Sequence, residues 1–480
     1  MFDRIRAGGA QGEATIAFDW ISLLLLTLLA VVTRVYGIWE WSYDGDEYTT
    51  VVNASERARS LINPAYYQLE LGSFALFGIS EWSARLPATI LGIASIPLFY
   101  WQWRNVVGRH AALLGGLLIV ASSWHLWYSQ FARFYSGVFL FASLAWYHWY
   151  RAVTLDSVRQ LVIALICMLA GCLFHATFVM VPVSCALFAL LTRFGAVDSS
   201  AYSRRIAAIY LMTGIVACLA VSPFFLKLLT GRAGSDAAAW GDLPAEMVLQ
   251  IVRRVQIPVA VAALLGLLLL ARTERGKALY FAIGIALPAA FVLVTATILN
   301  SRAVYMFYAL PLIIALAAYL CEQCRRVMVD RGAAAYAVLI IVLASMGPEF
   351  VSHYAGRASL NLGDVARCIE DNHQPGDAVA STVNELNLYL SKDYAKVWNP
   401  GNPNVGSDWV QGLTELDSTS GRLWIVVDFW RKPITGSLSQ WLDTNASLVY
   451  TKTETRIDYT VRGYSAFLRS DAARASVRCK

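Results

Sequence analysis

From residue 16 to residue 349 the chain alternates long apolar runs with short polar joints. A helix that crosses the ~30 Å hydrocarbon core of a bilayer needs about 20 such residues. About eleven runs qualify: 16–38, 86–103, 110–127, 134–151, 160–175, 177–193, 206–227, 249–271, 278–299, 303–321 and 333–349. The pattern predicts a mainly α, polytopic membrane protein of about eleven transmembrane helices. Past residue 350 the period changes. "QPGDAVAST" and "GRLWIVVDF" each read as a turn followed by a buried strand, "LGDVARCIEDN" has helical spacing, and "RIDYTVRGYSAFL" alternates like a closing strand. The expected division is a membrane domain over 1–350 and a soluble α/β domain over 351–480.

Residues 39–85 form a long joint with a pattern of its own. "GDEYTTVVNASERARSL" has helix-compatible spacing, and "NPAYYQLELGSFALFGIS" is apolar but too short to span. The second stretch is expected as an interfacial helix, with Tyr66, Tyr67 and Trp82 at headgroup depth.

The distribution of Lys and Arg sets the topology. With the N-terminus inside, the short inner loops carry Arg104/Arg109, Arg151/Arg159, Arg193/Arg204/Arg205, Arg272/Arg275/Lys277 and Arg325/Arg326/Arg331, as the positive-inside rule requires. An odd number of spans then places residues 351–480 outside. The first run is too long for a cleaved signal peptide and reads as a retained span.

Composition agrees: 57% of residues are hydrophobic and 15% charged, against about 25% charged in soluble domains. The net charge of +6 resides mostly in the inner loops, so it speaks for membrane orientation and not for nucleic acid. Cys167, Cys172, Cys185 and Cys218 sit inside spans. Cys321 and Cys324 make a lone CxxC at an inner span end, a weak metal signal without a second pair. Cys368 and Cys479 both fall in the outer domain, where an oxidising compartment would let them pair.

The first candidate chemistry is "WSYDGDEYTT", residues 41–50, which sets Asp44, Asp46 and Glu47 just past the first span. Solvated loop charge is the bland reading of such acids. Here they lie among Trp39, Trp41, Tyr43 and Tyr48, where the lower dielectric of a membrane surface makes a carboxylate a better base. Asp46 or Glu47 is placed to deprotonate a hydroxyl at that depth. The second candidate is a set of outward cations that positive-inside bias does not predict: Arg85, Arg133, Lys227, Arg253, Arg254 and Arg302. Any one alone reads as a snorkelling side chain. Several around one cavity suit a phosphate, whose oxygens match guanidinium forks. Trp124, His125, Trp127, Tyr128, Phe131, Phe134 and Tyr135 read either as an aromatic belt or as a stacking surface for a sugar. His175, near an outer span end, is more often a packing residue.

The Asp-Glu pair after a first span, the Pro-Ala-Tyr-Tyr segment at 64–67, "ARLPATILGIASIPLFYW", "YSQFARFYSGVFLF" and "SRAVYMFYALPLIIALAA" occur in this order. Together they resemble the C-type (GT-C) integral-membrane glycosyltransferases, and within them the protein O-mannosyltransferase-like branch that includes the lipid A aminoarabinose transferases. The resemblance implies transfer of a sugar from a polyprenyl-phosphate carrier to an acceptor at the outer face, with inversion at the anomeric carbon. The acceptor would be lipid A, another envelope glycan, a lipid or a protein. The resemblance also implies Asp46 as the base with Glu47 beside it, Arg302 and Tyr305 at the lipid phosphate, Arg133 and Tyr135 as the Arg-x-Tyr of the second outer loop, and His175 as a histidine that some members carry. Asp44, Tyr66, Tyr67, Arg85, Arg253 and Arg254 complete the expected substrate-binding set.

Two departures matter. Many relatives read His-Pro-Pro-Leu where this chain has Asn63, Pro64, Ala65 and Tyr66, and many place an acid where this chain has Phe131. The second departure argues against a metal bridged by two carboxylates, so no cofactor is required, with a divalent metal as the lesser alternative. Competing readings are a transporter or flippase of a polyprenyl-linked lipid, and a non-catalytic scaffold. A transporter site would sit near mid-membrane on broken helices, which leaves the surface acids without a task.

Overall fold

The structure, a computed structural model, describes residues 2–59, 63–195, 197, 201–215, 244–296, 302–328, 330, 336–359, 362–398, 409–420, 422–430, 436–455 and 461–470. In chain order the helices are α1 (Phe2–Val35), α2 (Gly45–Val52), α3 (Ala54–Arg59), α4 (Pro64–Phe77), α5 (Glu81–Trp103), α6 (Arg109–Ala121), α7 (Ser123–Ser129), α8 (Tyr135–Leu155), α9 (Val158–Phe174) and α10 (Met180–Arg193). Residues 204–215 are also helical. Then follow α11 (Pro244–Val255), α12 (Ile257–Thr273), α13 (Arg275–Thr295), α14 (Leu310–Val327), α15 (Ala337–Ser359), α16 (Leu362–Asp371), α17 (Trp409–Thr419) and α18 (Ser437–Asn445). Five strands, β1 (Asp377–Ser381), β2 (Lys396–Trp398), β3 (Arg422–Trp430), β4 (Ser447–Thr455) and β5 (Val461–Ser470), lie among the last of these.

Contacts separate two units that interleave in sequence. Met1–Tyr36, Ala54–Phe77 and Arg85–Pro348 make the first; Gly37–Asn53, Gly78–Ala84 and Glu349–Lys480 make the second.

The first unit is the helical bundle. Among the described residues six helices are long and apolar enough to cross a membrane alone, or eight if each of two bent pairs counts as one crossing. Those eight coincide with eight of the expected runs. Of the other three, α8 is a full-length helix whose Trp and Tyr side chains are buried almost all round by neighbours. The α9 helix is apolar but one turn shorter, and the run 206–227 is helical to 215 and then leaves the described residues. The bundle's centre is aromatic, with Trp103, Trp146, Trp149, Tyr100, Tyr280, Tyr308, Phe99 and Phe139 fully buried. Three of their polar edges are satisfied inside: Trp146 Nε1 donates to the Tyr308 carbonyl at 2.9 Å, Tyr280 Oη to the Trp146 carbonyl at 2.6 Å, and Trp103 Nε1 to Ser143 Oγ at 3.0 Å, while Trp149 Nε1 and Tyr308 Oη are buried without a hydrogen-bond partner among the described residues. Such rings contribute apolar area and fixed orientation together. Outside, α1 shows Trp20, Ile21, Leu24 and Val32 uncovered, the surface a lipid-facing helix presents.

Two breaks bend spans near the functional residues. Ser122 ends α6, and its side chain accepts from the His125 N–H to start α7 at 64°. Gln256, at φ +72°, ends α11, and α12 restarts with Pro258 in its first turn, turned by 90°.

In the second unit the strands form one sheet, ordered β2-β1-β3-β5-β4, with β1 parallel to β2 and β3 and with β5 antiparallel to β3 and β4. The period of two in β3 feeds two cores. Trp424 and Val426 meet Leu362, Val365 and Ile369 of α16, while Leu423, Ile425 and Val427 meet Leu413 and Leu416 of α17 and Leu438 and Leu442 of α18. Asp377 opens β1 almost wholly buried, and it is anchored by Arg422 Nε at 2.9 Å, Arg422 Nη2 at 2.8 Å, Trp424 Nε1 at 3.0 Å and the Gln374 N–H at 3.0 Å. Burial pushes its carboxyl up, but these donors and the Arg422 charge outweigh it and hold the group below the usual carboxylate range. The expected strands at "DAVAS" and "RLWIVVDF", the helix at 362–371 and the closing strand all occur. Strands β2 and β4 were not anticipated.

Candidate active site

The acids of the 41–50 segment belong to the second unit, and their arrangement follows from helix capping. Four N–H groups at the start of α2 lack intrahelical acceptors. Asp44, in extended backbone, is the N-cap: its Oδ1 accepts from the Asp46 N–H at 3.3 Å, while Glu47 Oε2 accepts from the Asp44 N–H at 3.1 Å. This is a capping box with aspartate as the cap. Glu47 is accordingly 1% exposed. Asp46 stands outside the box, half-buried in the first turn.

The residues before α2 are held by the rest of the same unit. Trp41 meets the His353 ring edge-on at 6.4 Å. Ser42 Oγ accepts from the Leu362 N–H at 2.8 Å. The Tyr43 N–H donates to Tyr389 Oη at 2.8 Å, and the two rings lie 6.3 Å apart. Gly45 faces Glu385, whose Oε1 would lie 2.8 Å from a Cβ at that position. Trp41 and Tyr43 are thus buried in protein, where the sequence suggested rings at a membrane surface; Trp39 is well exposed.

In the first unit a different group of expected residues comes together. His175 caps the short helix Ala176–Val179: the Thr177 N–H donates to its Nδ1 at 3.3 Å. Thr177 Oγ1 lies 2.6 Å from the same nitrogen. The ring stacks on Phe134 at 4.6 Å and 27°, with Tyr305 at 5.2 Å and Tyr135 at 5.9 Å. Tyr66 reaches the same cluster edge-on to Phe134 at 6.4 Å. Arg133 places its guanidinium 5.2 Å from the Phe134 ring centre, a cation over an aromatic face. Arg302 precedes the short helix Ala303–Ala309 that carries Tyr305, and its carbonyl accepts the Tyr305 N–H at 2.9 Å. The α11 helix, which carries Arg253 and Arg254 in its last turn, packs against that same short helix.

Three expectations change with these positions. Tyr66 and Tyr67 point into the bundle rather than to headgroups, because α4 is covered on its tyrosine face by α3 and α9 and leaves Leu69, Leu76 and Phe77 uncovered instead. Trp124, His125, Tyr128 and Phe131 are core residues rather than a belt, since the bend at Ser122 turns α7 inward. Arg85 is fully buried and does not snorkel. Lys227 and Cys479 lie outside the described residues, while Cys368 is disulfide-bonded.

Arg34 carries no sequence signal that sets it apart from an ordinary span-end arginine. It is fully buried in the last turn of α1 and donates to the carbonyls of Val120 at 2.8 Å and Ile119 at 2.7 Å at the end of α6. A third contact runs to His125 Nδ1 at 3.1 Å, and His125 Nε2 meets Ser95 Oγ at 3.0 Å. A cation at the carbonyl end of a helix is favoured by the macrodipole, so Arg34 ties α1 to the α6–α7 bend. Glu385 and Tyr389 likewise carry no such signal. Among the described residues no three His, Cys, Asp or Glu side chains are grouped as a metal would need.

Residues 64–227, roughly a third of the chain, match the family model described as dolichyl-phosphate-mannose-protein mannosyltransferase. Over 117 residues, 21% of this chain, it is 27% identical to YkcB of Bacillus subtilis (strain 168), which carries a mannosyltransferase name; the match spans 16% of that protein's length. Among solved structures, ArnT from Cupriavidus metallidurans superposes with a TM-score of 0.59 in the apo state and 0.57 bound to undecaprenyl phosphate, at 14% identity, covering 95% of this chain and 98% of ArnT. The Archaeoglobus fulgidus oligosaccharyltransferase follows at TM-score 0.50 and 13% identity, over 85% of this chain and 68% of that one. The expected likeness to the C-type glycosyltransferases is therefore met in fold along nearly the whole chain, and in sequence over residues 64–227.

Proposed function

We propose that the chain is an inverting glycosyltransferase that moves a sugar from a polyprenyl-phosphate carrier to an acceptor hydroxyl on the outer side of a bacterial cytoplasmic membrane. The observation that carries this reading is the division of labour in the acidic loop. Asp44 and Glu47 close the capping box, and Asp46 stands beside it, half-buried in the first turn of the same helix, which supports Asp46 as the base. Asp46 takes the hydroxyl proton, the hydroxyl oxygen bonds to the anomeric carbon from one side, and the bond to phosphate breaks on the other with its electron pair. Phosphate is a fair leaving group, so no general acid is required where cations absorb its charge. Arg133, Arg302, Arg253, Arg254 and Arg85 are assigned to that task, with His175, Tyr135 and Tyr305 as a ring surface toward the lipid-borne sugar and Tyr66 and Tyr67 behind them. A protein of the same fold was crystallised with undecaprenyl phosphate, which supports the donor class. The Cys368 disulfide supports an oxidising side for the C-terminal domain. The acceptor is a lipid, glycan or protein of the envelope, and the sugar a hexose or pentose.

The test is reconstitution of the purified full chain in liposomes with polyprenyl-phosphate sugars. Release of free polyprenyl phosphate matched by a glycosylated acceptor supports the reading, and lipid movement across the bilayer without bond cleavage overturns it. Mass spectrometry of envelope glycolipids from cells with and without the chain then identifies the acceptor by its missing sugar increment.

A further inference from the structure

We propose that the C-terminal α/β domain is the mould of the acidic loop, with Glu385 and Tyr389 as positioning residues that set where Asp46 stands. This rests on the glycosyltransferase reading of Asp46. Four of the five residues from Trp41 to Gly45 are each met by a different point of the later chain: Trp41 by His353, Ser42 by the Leu362 N–H, Tyr43 by Tyr389 Oη and Gly45 by the Glu385 carboxylate. Three of the four contacts are made by the start of α16, by the short helix Asn384–Leu388 and by the tyrosine that ends it. Glu385 is itself buried. Its carboxylate lies at the start of α2, where the helix dipole favours negative charge, in the space a side chain at residue 45 would contest. A Cβ at 45 would sit 2.8 Å from Oε1, closer than real Cβ atoms come, so in Gly45→Ala the Glu385 carboxylate must turn aside.

The consequence is a division of function within the second unit. Asp46 would act on the acceptor, and the sheet domain would act through it by holding the segment that feeds its helix. Displacement of a reacting group by about 1 Å can cost roughly a hundredfold in rate, so small changes at Glu385 should appear in turnover before they appear in binding.

The experiment uses the full chain in liposomes, with wild type, Glu385→Gln, Tyr389→Phe, Gly45→Ala and the double variant Gly45→Ala/Glu385→Asp, and reads kcat, KM for the lipid donor and thermal midpoint. Expected are kcat values lowered about tenfold to a hundredfold in Glu385→Gln and Gly45→Ala, donor KM within about twofold, and midpoints close to wild type. Part of the Gly45→Ala loss should return when residue 385 is shortened to Asp. On an Asp46→Asn background the same changes should have no further effect. Wild-type kcat in both Glu385→Gln and Gly45→Ala overturns the positioning role while leaving the glycosyltransferase reading intact. Losses that multiply independently with Asp46→Asn, or that track a fallen midpoint, overturn it as well. No sugar transfer by wild type overturns the underlying reading instead.

Discussion

Glu47 Oε2 accepts a hydrogen bond from the backbone N–H of Asp44 at 3.1 Å. That bond gives Glu47 a structural task which a glutamine performs equally well, since Glu and Gln both close capping boxes. Glu47→Gln is therefore expected to keep turnover within about tenfold of wild type, well short of the ~10²–10⁴-fold that a lost general base costs. Asp44→Ala, which removes the cap, should cost about 1 kcal/mol of local stability. Hydrogen exchange of the 44–52 peptide beside steady-state rates checks both.

Asp377 and Arg422 make a buried pair whose loss should be felt through the sheet. Removing the cation in Arg422→Ala leaves an uncompensated buried carboxylate, a cost of about 3–5 kcal/mol. The folded carboxyl titrates below its unfolded value of about 3.9, so its contribution is full above that pH and is lost as pH falls through the folded pKa. Exchange protection of the β1 and β3 peptides, corrected for intrinsic rates, should fall below about pH 4. Asp377→Asn should flatten that dependence.

Gly266 on α12 faces the Leu316 carbonyl of α14, which a Cβ would approach to 2.2 Å. Backbone cannot rotate aside as a side chain can, so Gly266→Val must separate two spans, at about 1–3 kcal/mol or more. Gly72 on α4 meets nothing, and Gly72→Ala should stabilise by up to about 1 kcal/mol. Thermal midpoints in detergent should move in opposite directions.

Arg302 and Arg133 are expected to serve a phosphate by paired N–H groups, which lysine cannot reproduce. Arg302→Lys and Arg133→Lys should therefore raise the donor KM severalfold or more while leaving the midpoint unchanged. An unaltered donor KM in both would remove them from the phosphate site.

Much of this architecture was legible in the sequence, because a membrane span and a buried strand each announce themselves by local period. The eight clearest spans, β1 and β3 are of that kind. Strand β2 is three residues long and largely exposed, so its period carries no signal. The capping box could have been read from Asp44 and Glu47 alone, at the spacing a box requires. Arg34 could not: an arginine at a span end looks the same whether it snorkels or, as here, ends buried against the carbonyls of α6. Tyr389 meets the Tyr43 N–H across 346 positions of chain, and no local pattern encodes a pairing at that separation. The acids were visible as a cluster, and the spacing of Asp44 and Glu47 already separates the box pair from Asp46.

The most direct test of the account is single-turnover sugar transfer by Asp46→Asn beside its binding of undecaprenyl phosphate. The account predicts transfer reduced by at least about a hundredfold with lipid affinity within about twofold of wild type. Transfer at the wild-type rate would contradict it.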